Sequence, residues 1–303
     1  MSYRLDKPEP LADEIKRISL EQIDKALPQL RNPGEDRDEV VHDVRKRFKK
    51  IRACLRLVRD SIGEDVYHHE NECYRDAGRI LAPVRDTTVD IETLNHLIDY
   101  FSDQLDESAF DHLRHHLVER HKAISEQVLD HEKGLTRVSV AIEQARQRVD
   151  EWPIQTGGFP VIDESLERVY KRGYKGLNAA RENSTNENLH EWRKRVKYLW
   201  YHIRILEPTW EDILDELAGE LHDLSDYLGD DHDLAIFEQT ILKQAEWFRD
   251  EGELEILLGM VNQRRNSLQN SAFPLGRKIY AEKPKDFVKR IQVYWQAWEE
   301  ITL

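Results

Sequence analysis

Two runs of this sequence place a histidine ahead of a file of cations at the same spacing. His42 is followed by Arg45, Lys46, Arg47, Lys49 and Arg56. His190 is followed by Arg193, Lys194, Arg195, Lys197 and Arg204, so the offsets are three, four, five, seven and fourteen in both runs. On a helix turning about 100° per residue, His42, Arg45, Lys46, Lys49 and Arg56 share one stripe. Val41, Val44, Phe48, Ile51, Leu55 and Val58 share the opposite stripe, and Val196, Leu199, Ile203 and Leu206 do so in the second run. Exposed like charges at i,i+4 repel by on the order of a few tenths of a kcal/mol per pair. A single such stripe reads as a solvated face balanced by nearby Asp and Glu. A duplicated stripe reads instead as the wall of an anion site, because an extended polyanion relieves the repulsion of both. Further cations stand ready on other segments: Arg75, Arg79 and Arg85, then Arg168, Lys171, Arg172 and Lys175. The two histidines open their stripes at a helix N-terminal turn, where the pKa tends downward, and when protonated they can donate to a phosphate oxygen.

Other residue sets offer weaker chemistry. Asp230-Asp231-His232-Asp233 does not have EF-hand or HExxH spacing, so capping of a following helix is preferred over a divalent cation. His68, His69, His112, His115, His116 and His121 recur at helical spacings, but no cysteine or carboxylate completes a metal set, and surface histidines are the simpler reading. A His-based metal scaffold and a metal-dependent phosphohydrolase stand as alternatives. No P-loop, GxGxxG, GxSxG or CxxC is present, and a non-catalytic protein is expected.

The elements that must position these stripes are all helical. Apolar spacing predicts helices over about 11–30, 37–62, 65–84, 88–105, 108–131 and 135–149. After a break rich in Gly and Pro at 150–160, helices resume over about 163–181, 186–206, 210–228, 233–250, 253–270 and 284–300. No alternating β pattern of useful length occurs. Position 42 maps to 190 at an offset of 148, Leu81–Asp86 to Leu228–Asp233 at 147, and Ser19-Leu20-Glu21 to Ser165-Leu166-Glu167 at 146. Near-constant offsets over three helices in order imply a duplicated helical bundle. The expected architecture is all-α: a first bundle over 1–152, a linker over 153–162 and a second bundle over 163–303. A pseudo-twofold axis would relate the bundles, with a basic groove or pore between them.

Bulk composition narrows the partner. The 303 residues carry a formal net charge of -14, with 39 % hydrophobic and 34 % charged residues. So acidic a field repels nucleic acid at long range, and no aromatic platform for stacking bases is evident on the stripes. Cys54 and Cys73 form no disulfide framework and read as small buried thiols of a reducing compartment. No stretch approaches the roughly 18 continuous apolar residues of a membrane span, and residues 1–6 have no apolar leader core. A cytoplasmic protein without a membrane partner is expected.

At this point the ordered motifs resemble a known family. His42-x-x-Arg45-x-x-x-Lys49-Lys50-x-Arg52 is similar to the first signature of the CHAD domain, the conserved histidine α-helical domain. Arg75 with Leu81-Ala82-x-x-Arg85-Asp86 resembles the next. Tyr170-Lys171-Arg172, His190-x-x-Arg193-Lys194-Arg195-Val196-Lys197, Leu228-Gly229-x-x-His232-Asp233, Arg264-Arg265 and Leu275-Gly276-Arg277 through Phe287 follow in the family's order. The resemblance implies two pseudo-symmetric helical bundles that bind inorganic polyphosphate in a basic central pore, without catalysis or cofactor. It assigns phosphate contacts to His42, Arg45, Lys46, Lys49, Lys50, Arg52, Arg56, Arg75, Arg79 and Arg85. In the second half it assigns them to Lys171, Arg172, Lys175, His190, Arg193, Lys194, Lys197, Arg204, Arg264 and Arg265. It also implies a stand-alone member without a fused triphosphate-cleaving barrel, and association with polyphosphate granules. Ala82, Trp200 and His232 depart from the family pattern, where Gly, a basic residue and Asn are common.

Overall fold

The computed structural model describes residues 3–8, 10–106 and 108–302. Among them the chain forms twelve α-helices and no strand. The all-α expectation holds, and most helices lie within a few residues of their expected bounds. They are α1 Leu11–Arg31, α2 Arg37–Leu57, α3 Arg59–Ile62, α4 Glu64–Ile80, α5 Ala82–Tyr100 and α6 Asp111–Ser125. After a π-helical turn, Glu126–His131, come α7 Gly134–Arg148, α8 Asp163–Glu182, α9 Asn186–Leu206, α10 Glu211–Leu242, α11 Glu251–Ile279 and α12 Pro284–Thr302.

The two helices that carry the histidine-led stripes each start at a side-chain cap. Asp36 accepts from the Glu39 amide ahead of α2, and Thr185 accepts from the Asn188 amide ahead of α9. Both helices bury the apolar stripe assigned from the sequence: Val41, Val44, Phe48, Ile51, Leu55 and Val58 in the first run, Val196, Leu199, Ile203 and Leu206 in the second. Burial of these stripes fixes which side of each helix faces outward, and therefore where the cations stand.

Two expected boundaries move. The break foreseen around Pro83 to Asp86 falls at Leu81, and Pro83 sits in the first turn of α5. Its ring lacks an N–H and would collide with the carbonyl four residues back, so it starts a helix where it cannot continue one. The equivalent break at Gly229–Asp233 does not form: α10 runs unbroken through it. The capping role expected for the Asp230–Asp233 cluster is corrected accordingly. No proline interrupts this copy, and a single glycine inside a helix costs only about 1 kcal/mol.

One core dominates and takes residues from both ends of the chain, from Tyr3 and Leu5 through Trp192 to Trp295. The segment 153–162 breaks the helices as expected but is no free spacer, since Ile154, Phe159, Val161 and Ile162 are buried in that core. A smaller second core joins the C-terminal part of α5 to α6, α10 and α11. At Gly276 a methyl group would run into the Trp192 ring, so glycine there lets α11 press against α9. The N-terminal segment straps onto the second half. The Leu5 amide donates to the Ile205 carbonyl at 3.0 Å, and Arg4 pairs with Glu207 at 2.9 Å and Glu211 at 2.7 Å.

Candidate functional site

α2 and α9 touch directly. Where they meet, His202 of α9 is fully buried, with Nε2 3.0 Å from the Ala53 carbonyl oxygen. Burial pushes its pKa down to about 3, so it bridges the two helices as a neutral ring. With the apolar stripes turned inward, the cations of both helices share the neighbouring surface.

The lysines record how closely they crowd. Lys49 keeps solvent access along one side, yet the protein around its ammonium, then Lys197, Arg45 and Arg193, bring its pKa to about 7. Lys197 falls to about 8 through burial and Arg193, with Lys46 acting in the same direction. Lys50 also falls to about 8, through burial and then Arg204, Lys46, Arg47 and Lys25. Charges separated by some 150 positions in sequence thus act on one another in space.

Two aspartates temper this field. Burial raises the Asp86 carboxyl, against the pull of Arg45 and Lys49. Asp233 is held low, because a hydrogen bond from His232 at 3.0 Å and the Arg193 charge outweigh its burial. The Nε atoms of Arg45 and Arg193 are buried without a hydrogen-bond partner, although Arg45 also donates through Nη1 to the Gly78 carbonyl. His190 stacks on His232 at 4.5 Å between ring centroids, and its pKa falls to about 4 through burial and the His232, Lys194 and Arg193 charges. His42 is half-exposed, 3.9 Å from Glu39, and lowered chiefly by burial and Arg85. Both histidines are neutral near pH 7, in line with the downward tendency expected of them.

The remaining assigned cations divide into those near this field and those held elsewhere. Arg56 lies over the Tyr198 ring at 4.0 Å, and Arg52 donates to Asn71 at 3.0 Å. Arg204 lies over the Trp200 ring at 5.6 Å, so the tryptophan in a position where the family often has a cation carries one on its face. Lys194 is hydrogen-bonded to Glu191, which also takes Arg195 at 3.1 Å. Lys171, Arg172 and Lys175 lie exposed along α8 with no carboxylate in ion-pair reach among the described residues. Arg75 pairs with Asp76 and Glu72, and Arg79 with Asp76, on an exposed face of α4. Arg85 makes a two-pronged pair with Glu92, both contacts 2.8 Å.

Arg264 lies 4.2 Å from the Tyr100 ring centre and 4.0 Å from Asp230. With Arg85, His96, Asp230 and Asp233 it lines a cavity of about 320 Å³ between α5, α10 and α11. Arg265 belongs to the framework: its guanidinium holds buried Asp231 at 3.1 Å, Glu238 at 3.4 Å and Asn186 at 2.5 Å. The sequence reading did not single out Arg59, which joins Arg56 from the next short helix, or Tyr198, the ring beneath Arg56. Arg59 stands three residues past Arg56, across the helix break at Val58, where extrapolating a helical stripe fails. Among the described residues, no group of three or more metal-ligating side chains occurs and no helix is long and apolar enough to cross a membrane.

The decisive comparison is the family profile, whose CHAD domain matches residues 17–242. The chain belongs to the CHAD-domain family. Two curated relatives, the uncharacterized proteins MT2285 and Rv2226 of two Mycobacterium tuberculosis strains, are each 26 % identical over 277 residues. That alignment takes 86 % of this chain and 51 % of theirs, so the chain spans about half the length of the curated relatives it matches. Among solved structures, PptA from Streptomyces chartreusis superposes with a TM-score of 0.60 at 13 % identity, covering 91 % of this chain and 99 % of that one. The CHAD domain from the plant Ricinus communis gives 0.57 at 16 % identity, covering 98 % and 95 %. At these identities the structural likeness establishes the fold of a CHAD domain.

Proposed function

We propose that this chain binds inorganic polyphosphate, without catalysis, in a basic groove between two duplicated halves, 1–152 and 163–303, joined by the partly buried segment 153–162. The observation that carries the reading is the direct contact of α2 with α9, which brings the two stripes within range of each other: the Lys197 charge acts on Lys49 and the Lys46 charge on Lys197, each lysine flanked by an arginine of its own stripe. Packing energy cannot account for so many cations crowded on one surface, whereas a ligand with one negative charge per repeating unit offsets them. The membership in the CHAD family and the polyphosphate role that its motifs imply point the same way. Equivalent positions on α2 and α9, together with Asp86 and Asp233, support the duplication. One difference between the copies is the break before Pro83 that separates α4 from α5, where α10 runs unbroken.

In this reading Arg45, Lys49, Arg193 and Lys197 contact the central phosphates, while Lys46, Lys50, Arg52 and Arg204 extend the path along the helices. A cytoplasmic setting at polyphosphate granules fits such a ligand. Calorimetric titration with long-chain polyphosphate at low salt tests the proposal. Micromolar or tighter binding that weakens steeply with salt supports it, and absence of binding at low salt overturns it. Incubation with polyphosphate and Mg²⁺ or Mn²⁺ separates binding from the hydrolase alternative: free phosphate stays at background if the site only binds.

A further inference from the structure

Beyond the lysine-centred field, a second cationic cluster differs from it in chemistry. Arg56 from the last turn of α2, Arg59 from α3, Arg168 and Arg172 from α8 and Arg195 from α9 converge on one narrow cleft, with Tyr198 and Ser165 in its walls. Its five cations are all arginines. Guanidinium forks stay charged at any accessible pH and match phosphate oxygens two at a time, whereas an ammonium is a point charge that burial can neutralise. Arg172 feels this crowding: burial, then Arg195, Arg56, Arg59 and Arg168, lower its pKa.

The cluster is only partly balanced. Asp60 takes Arg168 at 2.5 Å and the Ser165 hydroxyl at 2.7 Å, Glu64 takes Arg59 at 2.8 Å, and Glu191 is shared between Arg195 and Lys194. Among the described residues Arg56 has no carboxylate partner; it lies on the Tyr198 ring, and its buried Nε has no hydrogen-bond partner. Arg172 likewise has no ion-pair partner among the described residues. The enclosed space is only about 10 Å³, room for about one water, so a ligand is seated at the mouth of the cleft.

We infer that this arginine cleft is a separate receptor for a compact phosphate dianion, the terminal phosphoryl group of a phosphate chain. The identification of that chain rests on the polyphosphate reading above, but the anion site does not. A terminal phosphoryl group differs from the internal ones: with a second pKa of about 6 it carries up to two charges near neutral pH, against one on each internal unit. Unpaired Arg56 and Arg172 supply the matching pair of cations beside the three arginines already neutralised by carboxylates. The cleft would thus fix a chain end while the lysine field holds the interior.

Calorimetry on the full chain, with pyrophosphate as a probe that is all chain end, tests this. The expected result is saturable pyrophosphate binding that Arg56→Gln with Arg172→Gln weakens about tenfold or more. Lys49→Gln with Lys197→Gln should change it less than about twofold while weakening long-chain binding. Arg172→Lys alone should recover only part of the pyrophosphate affinity, because it keeps the charge and loses the fork. Polyphosphate with esterified ends should bind the wild type more weakly than the unblocked chain, and equally in the Arg56/Arg172 variant. The inference is overturned if pyrophosphate does not bind, if it is lost equally in the lysine variant, or if blocked and unblocked chains bind the wild type alike. Failure of the polyphosphate reading looks different: long chains then do not bind at all, whatever pyrophosphate does.

Discussion

The pH dependence of polyphosphate binding follows from the depressed lysines of the two stripes, Lys49 and Lys197 foremost, with Lys50 adding in the same direction. Lys49 has a pKa of about 7 and Lys197 of about 8 in the free protein, so both are charged at pH 6. By pH 9 roughly one in a hundred copies of Lys49 and one in ten of Lys197 keep the proton. A ligand that needs both charges would then lose up to about a thousandfold in affinity. Lys49 has solvent access and the neighbouring arginines stay charged, which discounts this to roughly tenfold to a hundredfold. The sign is diagnostic, because internal phosphates are ionised throughout this range and chain ends gain charge as pH rises. The ligand alone would therefore bind more tightly at pH 9. Titration with long-chain polyphosphate at fixed ionic strength from pH 6 to 9 reads the slope directly. Replacing all three depressed lysines, as Lys49→Arg, Lys50→Arg and Lys197→Arg, should flatten it to within about threefold while keeping affinity. A wild type whose affinity is flat or rises over this range refutes the reasoning.

Three further outcomes concern the framework. Arg265→Ala should cost about 3–5 kcal/mol in chemical denaturation, because it leaves buried Asp231 with the Gln269 hydrogen bond but no counter-charge, while leaving polyphosphate affinity nearly unchanged. His202 has its folded pKa depressed to about 3, so the unfolded chain takes up the proton first as pH falls; stability should drop from about pH 6.5 downward, and His202→Gln should reduce that slope in urea melts. Gly276→Ala should lower stability by about 1–3 kcal/mol, seen as a shifted urea midpoint, because its methyl group displaces the Trp192 ring.

Much of the fold was legible because burial and charge partition cleanly along α2 and α9. Apolar residues at helical spacing turned inward as read, and that alone oriented both cationic stripes. The continuity of α10 was not legible: Gly229 and three aspartates look like a break locally, but packing on α9 and α11 outweighs their weak helix propensity. Cation roles were legible only in part. Arg265 and Arg85 carry the same charge as Arg193, and only the positions of Asp231 and Glu92, distant or on another turn, show that they are already paired. Arg59 and Tyr198 entered the arginine cleft through the chain's turn at Val58 and the approach of α8, neither of which leaves a periodic signal.

The central claim is that stripes from the two halves act on one ligand. A double-mutant cycle with long-chain polyphosphate, on wild type, Arg45→Gln, Arg193→Gln and the double variant, tests it most directly. Coupling of at least about 0.5 kcal/mol between the two positions is expected, since both charges hold the same chain. Losses that add to within about 0.3 kcal/mol, or a wild type that does not bind, would contradict it.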